Sequence, residues 1–348
     1  MRALVLSGGS IKGAFQAGAI AEVLKNGFKP DLIFGVSVGS LNGGFLADRA
    51  GATIIGGRSV TWNLLGNDLL NFWTANIRSF DDIGKKRGKI GIFWKILNKD
   101  FSGLLKMGAI TDLLREELRP ANIQRSPALF HAGVVDLGTG AFFNATHATA
   151  GDDLIEYIIA STREPIIMPI HFWQDRPLVD GGLRNIAPLG EAMKAGASEI
   201  VVISCQAEEI ETPSDRMNYE DFFAVAGRSV DVLTNEIINN DLRTAAEINA
   251  YCLAHGNADR GFAIGKGDAL HAGHRYVPIK VIRPDAPIRV SITDFDAADI
   301  QRMINDGREK ARQVLTRDAA MTSLAPIVGA GPLVTSRLPK TPPPVLHS

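Results

Sequence analysis

Short apolar runs ending in glycine alternate with amphipathic stretches through most of this chain. Residues 3–7 form such a run, closed by Gly8-Gly9, and read as a buried strand feeding a loop. Residues 14–25 have helical spacing, with Phe15, Ala19, Ala21 and Leu24 available for packing, and Asn26-Gly27 stops them. Residues 31–36 read as a second strand and 38–49 as a second helix. Strand, helix and strand within so few residues form a right-handed βαβ unit whose strands are parallel.

The alternation resumes after residue 107. Residues 110–118 read as helix, 128–136 and 141–146 as two strands joined around Gly138-Thr139-Gly140, and 152–161 as helix. Residues 172–179 are apolar enough for a hairpin or strand and end at Asp180-Gly181-Gly182. Then come a buried strand at 199–205, one long helix or two over 219–253, a strand at 276–282 and a last strong helix over 294–315. Between the two halves, 51–107 is less regular. It mixes Trp62, Phe72, Trp73, Phe80, Phe93, Trp94 and Phe101 with the basic run Lys85-Lys86-Arg87 and with Lys89, Lys95, Lys99 and Lys106. This stretch reads first as an insertion that packs its aromatics inward and solvates its lysines. The alternative is a lid whose aromatics enter a lipid surface while its lysines meet anionic head groups. Pro326, Pro332, Pro339 and Pro342-Pro343-Pro344 make 321–348 a flexible tail. The pattern as a whole predicts an α/β protein. The expected form is a three-layer α/β/α sandwich with a mainly parallel central sheet over residues 1–320, carrying its insertion at about 51–107.

Composition narrows the partners. The 348 residues carry 37 basic and 38 acidic side chains, for a net charge of -1, which argues against nucleic acid as a partner. Cys205 and Cys252 are the only cysteines, too few for a secreted disulfide scaffold and without zinc-site spacing, so a reducing compartment is expected. The apolar run after Arg2 is too short for a signal peptide, and no stretch reaches the roughly 20 apolar residues of a membrane span. The expected location is the cytoplasm, with peripheral membrane contact as the one further option.

Three motifs carry chemistry. The first is Gly35-Val36-Ser37-Val38-Gly39, set between a strand and a helix. A sharp strand-to-helix turn exposes a serine for attack, flanking glycines leave room for the cramped backbone, and the helix N-terminus favours developing negative charge. The second is Ser7-Gly8-Gly9-Ser10-Ile11-Lys12-Gly13, after the first strand. Backbone N–H groups in such a loop hold an anion, as a tetrahedral oxyanion requires. Both loops leave the C-terminal ends of parallel strands, where open α/β sheets bind their ligands. The third is Asp180-Gly181-Gly182, with Asn185 and Pro188 following. An aspartate there accepts the Ser37 proton directly only if burial raises its pKa.

In this order the set resembles the patatin-like phospholipases, over roughly residues 1–188 and including Ala160-Ser161, Pro165 and Pro169 ahead of Asp180. The resemblance implies a Ser-Asp dyad without histidine that acts on acyl esters of lipids and needs no metal or organic cofactor. Position by position, Ser37 matches the nucleophile and Asp180 the base. Gly8, Gly9, Ser10 and Gly13 match the oxyanion loop, Lys12 its basic position, and Gly35 and Gly39 the elbow. One departure stands out: Ser10 occupies the place of a third consecutive glycine, keeping the N–H but adding a Cβ that narrows the allowed backbone. The implied activity is phospholipase A or lysophospholipase chemistry. Acyl transfer to an alcohol by the same dyad and a non-catalytic lipid-binding role are the alternatives.

Blander readings compete for each motif. Ser37 as a plain turn serine and Asp180 as a turn or capping aspartate are the simplest. The Gly8–Gly13 loop lacks the Ser or Thr that follows lysine in a phosphate-binding Walker loop, and Asp31 fits the acidic position of a dinucleotide loop only loosely. None of His131, His147, His171, His255, His271 or His274 lies in a catalytic context, and none is assigned.

Overall fold

The computed structural model describes residues 1–86, 103, 105–210, 222–266, 268 and 273–324. Arg87, Lys89, Phe93, Trp94, Lys95, Lys99, Phe101 and the proline-rich tail beyond residue 324 lie outside the described residues. The strands are β1 (Arg2–Leu6), β2 (Leu32–Val36), β3 (Lys85–Lys86), β4 (Leu105–Lys106), β5 (Leu129–Asp136), β6 (Ala141–Ala145), β7 (His171–Trp173), β8 (Arg176–Asp180), β9 (Glu199–Ile203) and β10 (Ile279–Ile282). Eight of them form one sheet, while β3 and β4 pair separately. The strands β10, β9, β1, β2 and β5 run parallel in that order; β6 and β8 are antiparallel to β5, and β7 closes a hairpin with β8.

The parallel strands are buried on both faces, so alternate side chains supply two cores. Leu4, Leu6, Ile33, Val201 and Ile203 join the core on one side, and Ala3, Val5, Phe34, Ile200 and Val202 that on the other. The first face is covered by α1 (Gly13–Lys25), α2 (Val38–Ile55), α3 (Trp62–Asn76), Leu154–Ser161 and Ala297–Leu324. The second is covered by Leu189–Lys194 and the single long helix Phe222–His255. The result is a mixed α/β fold with a mostly parallel central sheet and helices on both faces.

The expectation of an irregular stretch after residue 51 is corrected over most of its first half. The second helix runs on to Ile55, and α3 places Trp62, Leu65, Leu69, Phe72 and Trp73 in the core. Those positions follow helical spacing, but two bulky tryptophans and few charges made the amphipathic face hard to separate from a general aromatic excess. The described aromatics Trp62, Phe72, Trp73 and Phe80 are buried, and Lys85, Lys86 and Lys106 are exposed. Cys205 and Cys252 are both free and buried. Among the described residues no helix is long and apolar enough to cross a membrane.

Candidate active site

Ser37 sits where β2 hands over to α2. Its φ of 57° and ψ of −128° lie in a region that non-glycine residues rarely occupy. Such a conformation persists only where the surroundings over-determine it. Here the elbow glycines leave no alternative packing. A Cβ on Gly35 would stand 2.2 Å from the Gly39 carbonyl oxygen, and one on Gly39 would stand 2.3 Å from that of Leu6. The backbone of the turn therefore nests directly on the end of β1.

Ser161, at the end of the helix Leu154–Ser161, secures the turn from the other side. Its hydroxyl accepts a hydrogen bond from the Ser37 N–H (2.9 Å) and donates to the Gly133 carbonyl (2.7 Å). The Ser40 hydroxyl lies 2.8 Å from it and donates to the Gly35 carbonyl at 2.7 Å. All of these groups are buried. The sequence marked Ser161 only as part of a spacing; its role depends on a partner 124 positions away. Ser161→Ala leaves the Ser37 N–H in the interior without an acceptor. We expect denaturant unfolding to show a loss of about 1–3 kcal/mol, whereas an unchanged midpoint would show that the turn holds itself.

Asp180 reaches Ser37 through strand register. On β5, residues Leu129 to Gly133 pair with β2, ending at Gly133 opposite Val36, and residues Val134 to Asp136 pair with β8, starting at Val134 opposite Asp180. β6 takes the other edge of β5 from Ala132 to Asp136, so β2 and β8 share one edge in succession. They run in opposite directions and their C-terminal ends meet at the Gly133–Val134 junction. Ser37 and Asp180 are the residues at that meeting point.

Asp180 is nearly inaccessible, at 6% exposure, and its N–H donates to the Arg163 carbonyl at 3.0 Å. Burial raises its pKa to about 6; the Ser37 hydroxyl and the Gly182 N–H, which donates to Oδ1 at 2.7 Å, oppose the rise by stabilising the carboxylate. Near neutral pH it is a carboxylate with more affinity for a proton than an exposed aspartate has.

The loop after β1 completes the site. The Gly8 N–H is already engaged with the Ile186 carbonyl (3.2 Å), and the Gly13 N–H with the Ser10 carbonyl. The N–H groups of Gly9 and Ser10 meet no acceptor among the described residues. Ser10 has a φ of 52°, in the left-handed region, which is where a third glycine would be unstrained. Beneath the loop lies a buried polar chain that the sequence did not reveal. Trp73 Nε1–H donates to Asn42 Oδ1 (2.8 Å), and Asn42 Nδ2 donates to Gln16 Oε1 (3.0 Å) and the Gly13 carbonyl (3.1 Å). Gln16 Nε2 in turn donates to the carbonyls of Ser7 (3.0 Å) and Ile203 (3.1 Å). The chain ties α1, α2 and α3 to the ends of β1 and β9.

Ser37 and Asp180 line a cavity of about 230 Å³ together with Gly9, Ser10, Lys12 and Glu164. An apolar recess of about 50 Å³ opens from the same place, walled by Val38, Trp73, Ile77, Ile83, Met107 and Met168. Gly182 also borders the larger space, and Gly35 and Gly39 stay behind the turn. No histidine lines either space among the described residues. His131 stacks on Phe34 within the sheet, where burial lowers its pKa to about 4, and His171 pairs with Glu156. Cys205 packs under Gly9 as a thiol whose pKa burial pushes up to about 12. Among the described residues no three histidine, cysteine, aspartate or glutamate side chains gather to hold a metal ion.

A strained serine at a strand-to-helix turn, a buried aspartate and a glycine loop with two N–H groups that meet no acceptor among the described residues come together at the ends of β1, β2 and β8 of this α/β protein. The chain belongs to the patatin-like phospholipase family, whose model matches residues 4–193. It is similar to a lysophospholipase, NTE1, of Scheffersomyces stipitis, with 27% identity over 223 residues. That match covers 63% of this chain and 12% of that protein, so this chain corresponds to a small part of its relative. Among solved structures, the crystal structure of VipD from Legionella pneumophila superimposes with a TM-score of 0.41 at 15% identity, covering 91% of this chain and 67% of that one.

Proposed function

We propose that the protein hydrolyses fatty-acyl esters of lipids, with Ser37 as nucleophile and Asp180 as the base that takes its proton. The observation that carries this reading is the meeting of β2 and β8 on one edge of β5, which sets a carboxyl of raised pKa against a strained serine. Ser37 Oγ bonds to the ester carbonyl carbon as its proton passes to Asp180. The N–H groups of Gly9 and Ser10 hold the oxyanion, while Gly8 and Gly13 shape the loop. The carbon–oxygen bond to the alcohol breaks, the proton on Asp180 leaves with that alcohol, and water then releases the acyl group by the same steps in reverse roles. The apolar recess suits the acyl chain, and the larger cavity, with Lys12 on its wall, suits the glycerol and head-group side. The similarity to a lysophospholipase makes single-chain phospholipids the first substrates to try.

Treatment with a fluorophosphonate probe, followed by peptide mapping, tests the assignment. The expected result is labelling confined to Ser37 and absent in Ser37→Ala, with parallel loss of fatty-acid release from a lysophospholipid. Labelling at another serine, or none on folded protein, overturns it.

A further inference from the structure

Of the described residues that line both the cavity and the apolar recess, only Glu164 carries an ionisable group. The remainder shared by the two spaces are Ser10, Ile11, Ser37 and Ile292. Its backbone is held against the reacting centre. Three residues before it, Ser161 accepts the Ser37 N–H; one residue before it, the Arg163 carbonyl accepts the Asp180 N–H; its own carbonyl accepts the Met168 N–H at 2.9 Å. Glu164 therefore lies where the two spaces meet, beside Ser37.

The charged groups around it come from three elements: Lys12 from the glycine loop, Asp180 from the end of β8 and Asp231 from the long helix Phe222–His255. Glu164 as a residue is half-buried, but partial removal of its carboxyl group from water raises its pKa most; the two carboxylates add to the rise and Lys12 opposes them, leaving it at about 8. At neutral pH the site thus holds Asp180 as the carboxylate and Glu164 as the acid. Attack on an ester builds an oxyanion within the same junction, and a second carboxylate there repels it.

We propose that Glu164 is a specificity-determining residue of this site: as a neutral carboxyl it admits the ester, and as a carboxylate it closes the junction to attack and to substrates bearing negative charge beside the carbonyl. The inference rests on the reading of Ser37 and Asp180 given above and adds a second carboxyl with the opposite charge requirement. It implies that activity falls on the alkaline side through a group that neither takes the serine proton nor holds the oxyanion.

The test compares wild type and Glu164→Gln on a neutral ester, p-nitrophenyl butyrate, and on the anionic p-nitrophenyl hemisuccinate, with Ser37→Ala as background. In wild type, kcat/KM for the neutral ester falls about tenfold between pH 7 and pH 9, with a midpoint near 8. In Glu164→Gln the alkaline fall disappears, so the ratio of pH 9 to pH 7 rises about tenfold whatever the absolute rate. The preference for the neutral over the anionic ester at pH 9 also narrows. The rate of fluorophosphonate labelling against pH should follow the same two curves. Glu164→Ala, also neutral, replaces the amide variant if that one does not fold. A pH profile in either neutral variant that superimposes on wild type overturns the proposal while leaving the assignment of Ser37 intact. Full turnover by Ser37→Ala sinks the underlying reading of the site instead.

Discussion

Asp180→Asn is expected to lose about three orders of magnitude in kcat while the protein becomes more stable at pH 8. The loss follows from removing the base proposed for Ser37, since general-base transfer contributes typically ~10²–10⁴ to the rate. The gain follows from linkage. The folded protein raises the Asp180 pKa from 3.8 to about 6, so folding favours the protonated acid. That contribution is fully present below about pH 4 and is lost as pH rises through about 6. Above pH 6 the buried carboxylate is a net cost, of up to about 3 kcal/mol. The amide carries no charge and its Oδ1 still accepts the Gly182 N–H, so the variant removes the cost without opening the turn. Thermal unfolding of both proteins at pH 8 and pH 4 measures it: the difference should be large at the first and small at the second. The same pKa places the acid limb of wild-type kcat/KM near pH 6. Near wild-type turnover in the amide variant would remove Asp180 from the mechanism and return attention to the histidines.

Gly9→Ala should be the most damaging single methyl group in the loop. A Cβ at this position would lie 2.2 Å from Cys205 Cβ and 2.9 Å from its sulfur, and the backbone φ of +157° is one that L-residues rarely adopt. Cys205 cannot retreat, because it is fully buried two residues beyond β9 and its N–H is held by the Ser7 hydroxyl at 2.9 Å. Overpacking in a tight core costs about 1–3 kcal/mol, and a disfavoured backbone a similar amount. The expected outcome is a destabilisation of about 2–5 kcal/mol with fluorophosphonate labelling of Ser37 close to abolished, since the Gly9 and Ser10 N–H groups move together. Cys205→Gly in the same chain removes the clashing Cβ and leaves its Cα 3.6 Å away, so the double variant should recover part of the stability. No recovery would mean that backbone conformation alone limits this position.

Much of the site was legible because it is local. The run 3–7, the helix after Gly13, the second strand and the turn at Ser37 are written in short-range periodicity and turn chemistry, and the structure places β1, α1, β2 and α2 accordingly. Gly35 is demanded for the same local reason, since its Cβ would strike the Gly39 carbonyl within the turn, whereas Gly39 is demanded by the Leu6 carbonyl at the end of β1. The departure at Ser10 was also visible as a Cβ in a place that restricts the backbone, though its φ of 52° was not. By contrast Gln16 and Asn42 look in sequence like ordinary helical positions and Trp73 falls in the stretch that read as irregular, and only the packing of three helices makes them one hydrogen-bonded chain.

From the sequence alone came the βαβ unit, the strained serine between strand and helix, and the glycine loop beside it. Each depends on residues close in the chain, where side-chain period and backbone freedom set the conformation. Tertiary structure decided which carboxyl faces Ser37, because β8 continues the edge of β5 that β2 vacates, 143 positions after Ser37 in chain order. It also decided the charge states, since the proton affinities of Asp180 and Glu164 follow from water excluded by the assembled layers and from neighbours that no local pattern encodes.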